Sequence, residues 1–200
     1  MRRRINNGFS ISFAACVVAA FFVLIVPLRW IVAAVFAGLI HELCHYWMIR
    51  LCGGIVDRIT IDWDGITMDT SALSPGKEFL CTFAGPAGEL CLMLAFRHLP
   101  RTAVCALFHA AYNLLPVYPL DGGRILKCVL EILLPKQAAE KTADVISTAI
   151  TWLLILFGIA AAIWMNLGIM PVIFAFILWK KSRSRKIPCK PAQQRVQYTY

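Results

Sequence analysis

Charge is scarce in this chain. Asp, Glu, Lys and Arg make up 16% of its 200 residues, against roughly 25% in an ordinary soluble domain. So few charges cannot coat a large water-soluble fold. Acidic residues are the scarcer half, 11 against 20 basic ones. The eight cysteines (Cys16, Cys44, Cys52, Cys81, Cys91, Cys105, Cys128 and Cys189) include no CxxC pair. Most lie in or beside apolar runs, so they read as buried free thiols. Neither a repeat nor a low-complexity segment is found.

What is abundant is apolar sequence. Hydrophobic residues reach 60%, and the mean hydropathy is +0.70. That composition predicts a polytopic membrane protein with one membrane domain, in contact with the lipid bilayer. The net charge of +9 collects at the two ends, in Arg2-Arg3-Arg4 and across residues 180–186. Beside membrane spans, the positive-inside rule explains such clusters better than nucleic acid does, and both termini are then expected in the cytoplasm. No nucleic-acid partner is expected. Residues 1–28 have the basic start and apolar core of a signal peptide. The apolar run is long, however, and no clear cleavage site follows it, so it reads as an uncleaved first span.

Expected spans fall at residues 11–28, 30–49, 78–99 and from 102 to 115, with a final pair at 146–165 and 167–179. Alternation of Ile59, Ile61 and Trp63 with Thr60, Asp62 and Asp64, followed by an Asp64-Gly65 turn, predicts a β-hairpin over residues 55–70. Pro86 is expected to kink or unwind the third span, and the small residues around it to allow close helix approach. Residues 124–134 are amphipathic, and 135–144 read as a polar loop. The fold class is therefore an all-α polytopic membrane protein of about six transmembrane helices with a small membrane-associated β-hairpin. Residues 1–180 would form a single integral-membrane domain, and 181–200 a basic cytoplasmic tail without fixed structure.

Chemistry enters at His41-Glu42-Leu43-Cys44-His45, an HExxH motif. Residues four apart share a helix face, so His41 and His45 can hold one metal, with Glu42 placed to take a proton from a water. Cys44 points off that face. Alone the motif is weak, because two histidines and a glutamate on a packed helix face would explain it. Inside a bilayer such residues are costly and seldom without a partner or a task. Taking Arg50 as the interface, His45 lies about 7–8 Å deep and His41 about 13 Å deep. With six spans, the second and fourth run in the same direction. HExxH and Leu120-Asp121-Gly122-Gly123 then both fall at cytoplasmic ends, although Arg97 and Arg101 would lie outside, against the charge trend. Zinc in a catalytic site takes three protein ligands. Asp121, between helix-breaking Pro116 and Pro119 and the two glycines, is the candidate third. Its other reading is a cap on the next helix, paired with Arg124.

Three segments together, His41-Glu42-Leu43-Cys44-His45, Ala84-Gly85-Pro86-Ala87-Gly88-Glu89 and residues 113–123, resemble the site-2 protease family of intramembrane metalloproteases (peptidase M50). Their order and spacing are similar to the bacterial subgroup with the sporulation protease that activates a sigma factor. The resemblance implies zinc held by His41, His45 and Asp121. It also implies Glu42 as catalytic acid/base, Asn113 and Pro119 holding an extended substrate, and a β-hairpin able to pair with it. It implies cleavage of a membrane-spanning or membrane-tethered protein at the cell membrane of a bacterium, with regulatory membrane proteins as further partners. The alternatives are a catalytically silent scaffold of the same fold that binds single-span proteins, and a zinc transporter. One departure stands out. The family's GPxxN pattern ends here in Glu89, which is either an extra acid near the site or a carboxylate simply paired with a base or a water. His109, one turn before Asn113, is either a support of the site or a packed bundle histidine.

Overall fold

The computed structural model describes residues 8–62, 65–71, 73–95, 98–164 and 179. The expected sixth span at 167–179, the tail and both basic clusters lie outside the described residues, apart from Trp179. In chain order the elements are β1 (Gly8–Ile11), α1 (Phe13–Ile25), α2 (Leu28–Leu51), β2 (Val56–Asp62), β3 (Gly65–Thr70), α3 (Pro75–Ala95), α4 (Pro100–Asn113), α5 (Asp121–Leu133) and α6 (Lys136–Trp164). Residues 1–146 form one compact unit, and residues 147–200 form a second.

Burial in this chain is inverted relative to a soluble protein. Phe21, Phe22, Leu24, Phe108, Trp152, Phe157 and Trp164 are exposed, whereas His41, Thr82, Glu89, Thr102 and Asp121 are buried. Such an arrangement suits a solvent of lipid tails. Helices α2, α3 and α6 are long and apolar enough to cross a membrane. Helix α1 is not. Ser12 caps it by accepting from Ala15 N–H, and it ends ahead of Pro27 after 13 residues, or about 20 Å of rise. The expected 18-residue span is shortened because Ile11 belongs to a strand.

The hairpin is present, with β2 and β3 antiparallel and Ile59 opposite Met68. Gly65, at a φ of 132°, supplies backbone freedom that few other residues have. Of the expected Asp64-Gly65 turn, Asp64 lies outside the described residues. What the hairpin pattern did not predict is β1, which pairs parallel to β2 from Gly8↔Arg58 to Ile11↔Ile61. The resulting sheet order is β1-β2-β3.

Helix α3 touches α2, α4 and α5, and Ala37, Leu92 and Ala106 meet where the first three pack. It continues through Pro86, which is buried. The expected break does not occur, since the missing N–H costs one helical bond and packing on several sides holds the rest. The expected polar loop at 135–144 is instead the start of α6, where Glu140 reaches Lys127 of α5 at 3.9 Å. The amphipathic stretch begins earlier than expected, at Asp121, and a seven-residue loop separates it from α4.

The small residues of α3 do permit close approach. A Cβ at Gly88 would stand 2.2 Å from Cys44 Sγ, which also shows that Cys44 packs on α3. Gly88→Ala is therefore expected to destabilise the bundle by about 1–3 kcal/mol. Adding Cys44→Ala should recover part of that loss. Thermal unfolding in detergent checks both, and a Gly88→Ala protein as stable as wild type would contradict the packing described.

Candidate metal centre

His41 and His45 come from successive turns of α2, and Asp121 from the first residue of α5. Their side chains converge. His41 Nε2 lies 3.0 Å from Asp121 Oδ2, His45 Nε2 lies 3.2 Å from the same oxygen, and the two Nε2 atoms are 3.0 Å apart. The rings meet edge to face.

Their outer hydrogen bonds decide what these atoms can be. His45 Nδ1 is 2.7 Å from the Cys81 carbonyl of α3. A carbonyl only accepts, so Nδ1 carries the proton and Nε2 of the neutral ring presents a lone pair. His41 Nδ1 is 2.9 Å from Glu89 Oε2, and donation to a carboxylate leaves His41 Nε2 in the same state. Three electron-pair donors thus face one point with no proton to share among them. A cation resolves that arrangement. Bonds of about 2.0–2.1 Å in a tetrahedral zinc site put neighbouring ligand atoms about 3.3 Å apart, close to the spacings here. This donor set therefore fits zinc.

Two close approaches build the centre. A Cβ on Gly85 of α3 would lie 2.3 Å from His45 Nε2 and 2.8 Å from His41 Cε1. A Cβ on Gly122 would lie 2.1 Å from the Leu114 carbonyl oxygen, and one on Gly123 2.5 Å from Tyr118 N. The two α5 glycines are thus helical residues lying under the loop after α4, which sets Asp121 opposite α2. Arg124 pairs instead with Glu78 of α3 at 3.5 Å, so Asp121 meets the histidines rather than Arg124.

The other residues singled out by sequence take distinct places. Glu42 is half-buried on α2, beside His41. Asn113 ends α4, with its amide nitrogen 3.4 Å from His109 Nε2. Pro119 lies half-buried in the loop, two residues before Asp121. Glu89, wholly buried, joins His41 to His109, which settles both open readings in favour of a linked cluster. The Cys81 carbonyl and Gly85 were not singled out by sequence reasoning. A backbone acceptor has no side-chain signature, and Gly85 read only as one of several small residues.

Comparison with known proteins agrees with this geometry. The profile of peptidase family M50 matches residues 90–158, a stretch that includes His109, Asn113 and Asp121. Over that stretch the chain is similar to peptidase family M50. Two relatives from Mycobacterium tuberculosis strains, which carry the zinc-metalloprotease name Rip3, are 34% identical over 112 residues. The aligned part is 46% of this chain and 28% of theirs. The chain thus matches only about a quarter of those relatives' length. The solved site-2 protease from Methanocaldococcus jannaschii shares the fold, with a TM-score of 0.69 at 16% identity over 96% of this chain and 95% of that one.

Because Gly85 leaves the space that the two imidazoles fill, Gly85→Ala is expected to weaken Zn2+ binding at least about tenfold, as misplaced ligands do. Competition against a chelator measures this. Unchanged affinity would mean that the α2–α3 contact does not set the histidines.

Proposed function

We propose that the chain is an intramembrane zinc metalloprotease that hydrolyses a peptide bond of a membrane-embedded or membrane-tethered protein. The observation that carries this reading is the convergence of three lone-pair atoms from α2 and α5 inside a bundle whose apolar side chains face outward. The family match and the Rip3 name support it. In this reading His41, His45 and Asp121 hold the zinc. When bound, the ion supplies Lewis-acid polarisation of a carbonyl and of water.

The remaining chemistry belongs to the chain. Glu42, next to His41 on α2, takes the proton of the attacking water and passes it to the leaving amine. A helical substrate keeps its carbonyls bonded internally and must unwind before attack. Asn113 and Pro119 hold the unwound segment, and β3, at the sheet's edge, is placed to add it as a further strand. The basic clusters at both ends of the sequence support a cell-membrane orientation with both termini in the cytoplasm. Residues 1–180 would act as one membrane domain. The resemblance to the bacterial sporulation subgroup rests on motif order and spacing.

Glu42→Gln should keep its zinc and lose cleavage of a single-span test substrate by about 100-fold or more. Asp121→Ala should lose both metal and cleavage. Metal content and gel-based cleavage of the purified proteins decide the matter. Turnover by Glu42→Gln at the wild-type rate would overturn the mechanism. Capture of substrate without cleavage by the zinc-loaded wild type would favour the scaffold alternative.

A further inference from the structure

Glu89 is a fully enclosed carboxylate at the meeting of three helices. Its two oxygens go to two different histidines. Oε2 accepts from His41 Nδ1 of α2 at 2.9 Å, and Oε1 accepts from His109 Nδ1 of α4. The His41 and His109 rings stand edge to face with centroids 4.9 Å apart. Beyond them, Asn113 places its amide nitrogen against the His109 ring, 3.3 Å from Nδ1 and 3.4 Å from Nε2.

We propose that Glu89 is a positioning residue: it locks the His41 proton on Nδ1, aims Nε2 at the metal, and ties the metal centre through His109 to Asn113. The inference rests on the zinc reading above. A carboxylate suits this place because it offers two acceptors to two N–H donors. An amide offers one acceptor and one donor, so it can satisfy only one of the two histidines in these tautomers. The acid at the end of the third-span motif, where the resembling family carries Asn, thus has a task set by its neighbours. Without it, His41 is free to carry its proton on Nε2, a form that cannot bind metal.

The test uses purified full-length protein with zinc alone, titrated against a chelator, and Co2+ substitution to read ligand geometry by absorption. Wild type should bind one zinc per chain. Glu89→Leu, which removes both acceptors, should weaken zinc by about 10–100-fold and alter the Co2+ spectrum. Glu89→Gln, close in shape and retaining one acceptor, should lie between Leu and wild type. His109→Ala, at a half-exposed side chain, should stay within about threefold of wild type, since His41 keeps its oxygen. This ranking, with Leu worst and His109→Ala mildest, is not expected from a general loss of packing. If the leucine variant does not fold, the glutamine variant decides. Wild-type affinity and an unchanged Co2+ spectrum in both Glu89 variants would overturn the proposal while leaving the zinc reading intact. Two zinc ions per wild-type chain would overturn it too, by making His41, Glu89 and His109 a second metal site. No zinc in folded wild type would remove the parent reading, and this one with it.

Discussion

Lone pairs repel, and this bundle aims three of them at one point. His45 donates its N–H to a backbone carbonyl and His41 donates its N–H to Glu89, so neither ring has an N–H left for the other or for Asp121. In water such a cluster would fill with solvent. Enclosed among apolar helices, it is stable only with a cation or with extra protons, and both remedies impose a geometry on the surrounding helices. Much of the structure near the site serves to hold this juxtaposition. Gly122 and Gly123 let α5 tuck beneath the loop after α4, and that close contact delivers Asp121 to α2.

Helix α3 supplies no metal-ligand atom to the His41–His45–Asp121 group, yet both histidines lean on it. The Cys81 carbonyl accepts from His45, Gly85 leaves room for both imidazoles, Gly88 admits Cys44, and Glu89 accepts from His41. Gly85 lies four residues after Cys81, and Gly88 and Glu89 lie three and four residues after Gly85, the spacings that keep residues on one helical face. A single stripe of α3 thus sets the tautomers and the approach distance of the α2 ligands. That is why a proline in the middle of this helix is tolerated: the stripe is fixed from outside by its neighbours and does not depend on an unbroken ladder of helical bonds.

The legible parts of the sequence were those whose signal is local. HExxH announces itself because a helix places i and i+4 together, and Leu120-Asp121-Gly122-Gly123 because glycine pairs and an acid are conspicuous in apolar sequence. The hairpin showed through alternation. Features that depend on distant partners were hidden. Strand β1 is four residues long, opens an apolar run, and exists because β2 lies alongside it. Its presence shortens α1 in turn. The first turns of α6 look like a loop by composition, but Lys127 of α5 gives Glu140 a partner there. Glu89 drew notice as an oddity. Its role needed the positions of His41 and His109, which come from two other helices.

The inverted burial and the metal centre are two sides of one constraint. Peptide hydrolysis needs water, a base and an unwound backbone, all of which lipid disfavours. For the proposed reaction the bundle would meet this by turning its apolar side chains outward and gathering His41, His45, Asp121 and Glu89 inward. The chain's hydrophobicity and its polar core are therefore not in conflict. Ionisable groups are tolerated in such a setting where each is answered by another, as Glu89 is by His41 and His109. In the proposed reading Glu42, half-buried beside His41 on α2, is the carboxylate that handles the proton of the substrate's water.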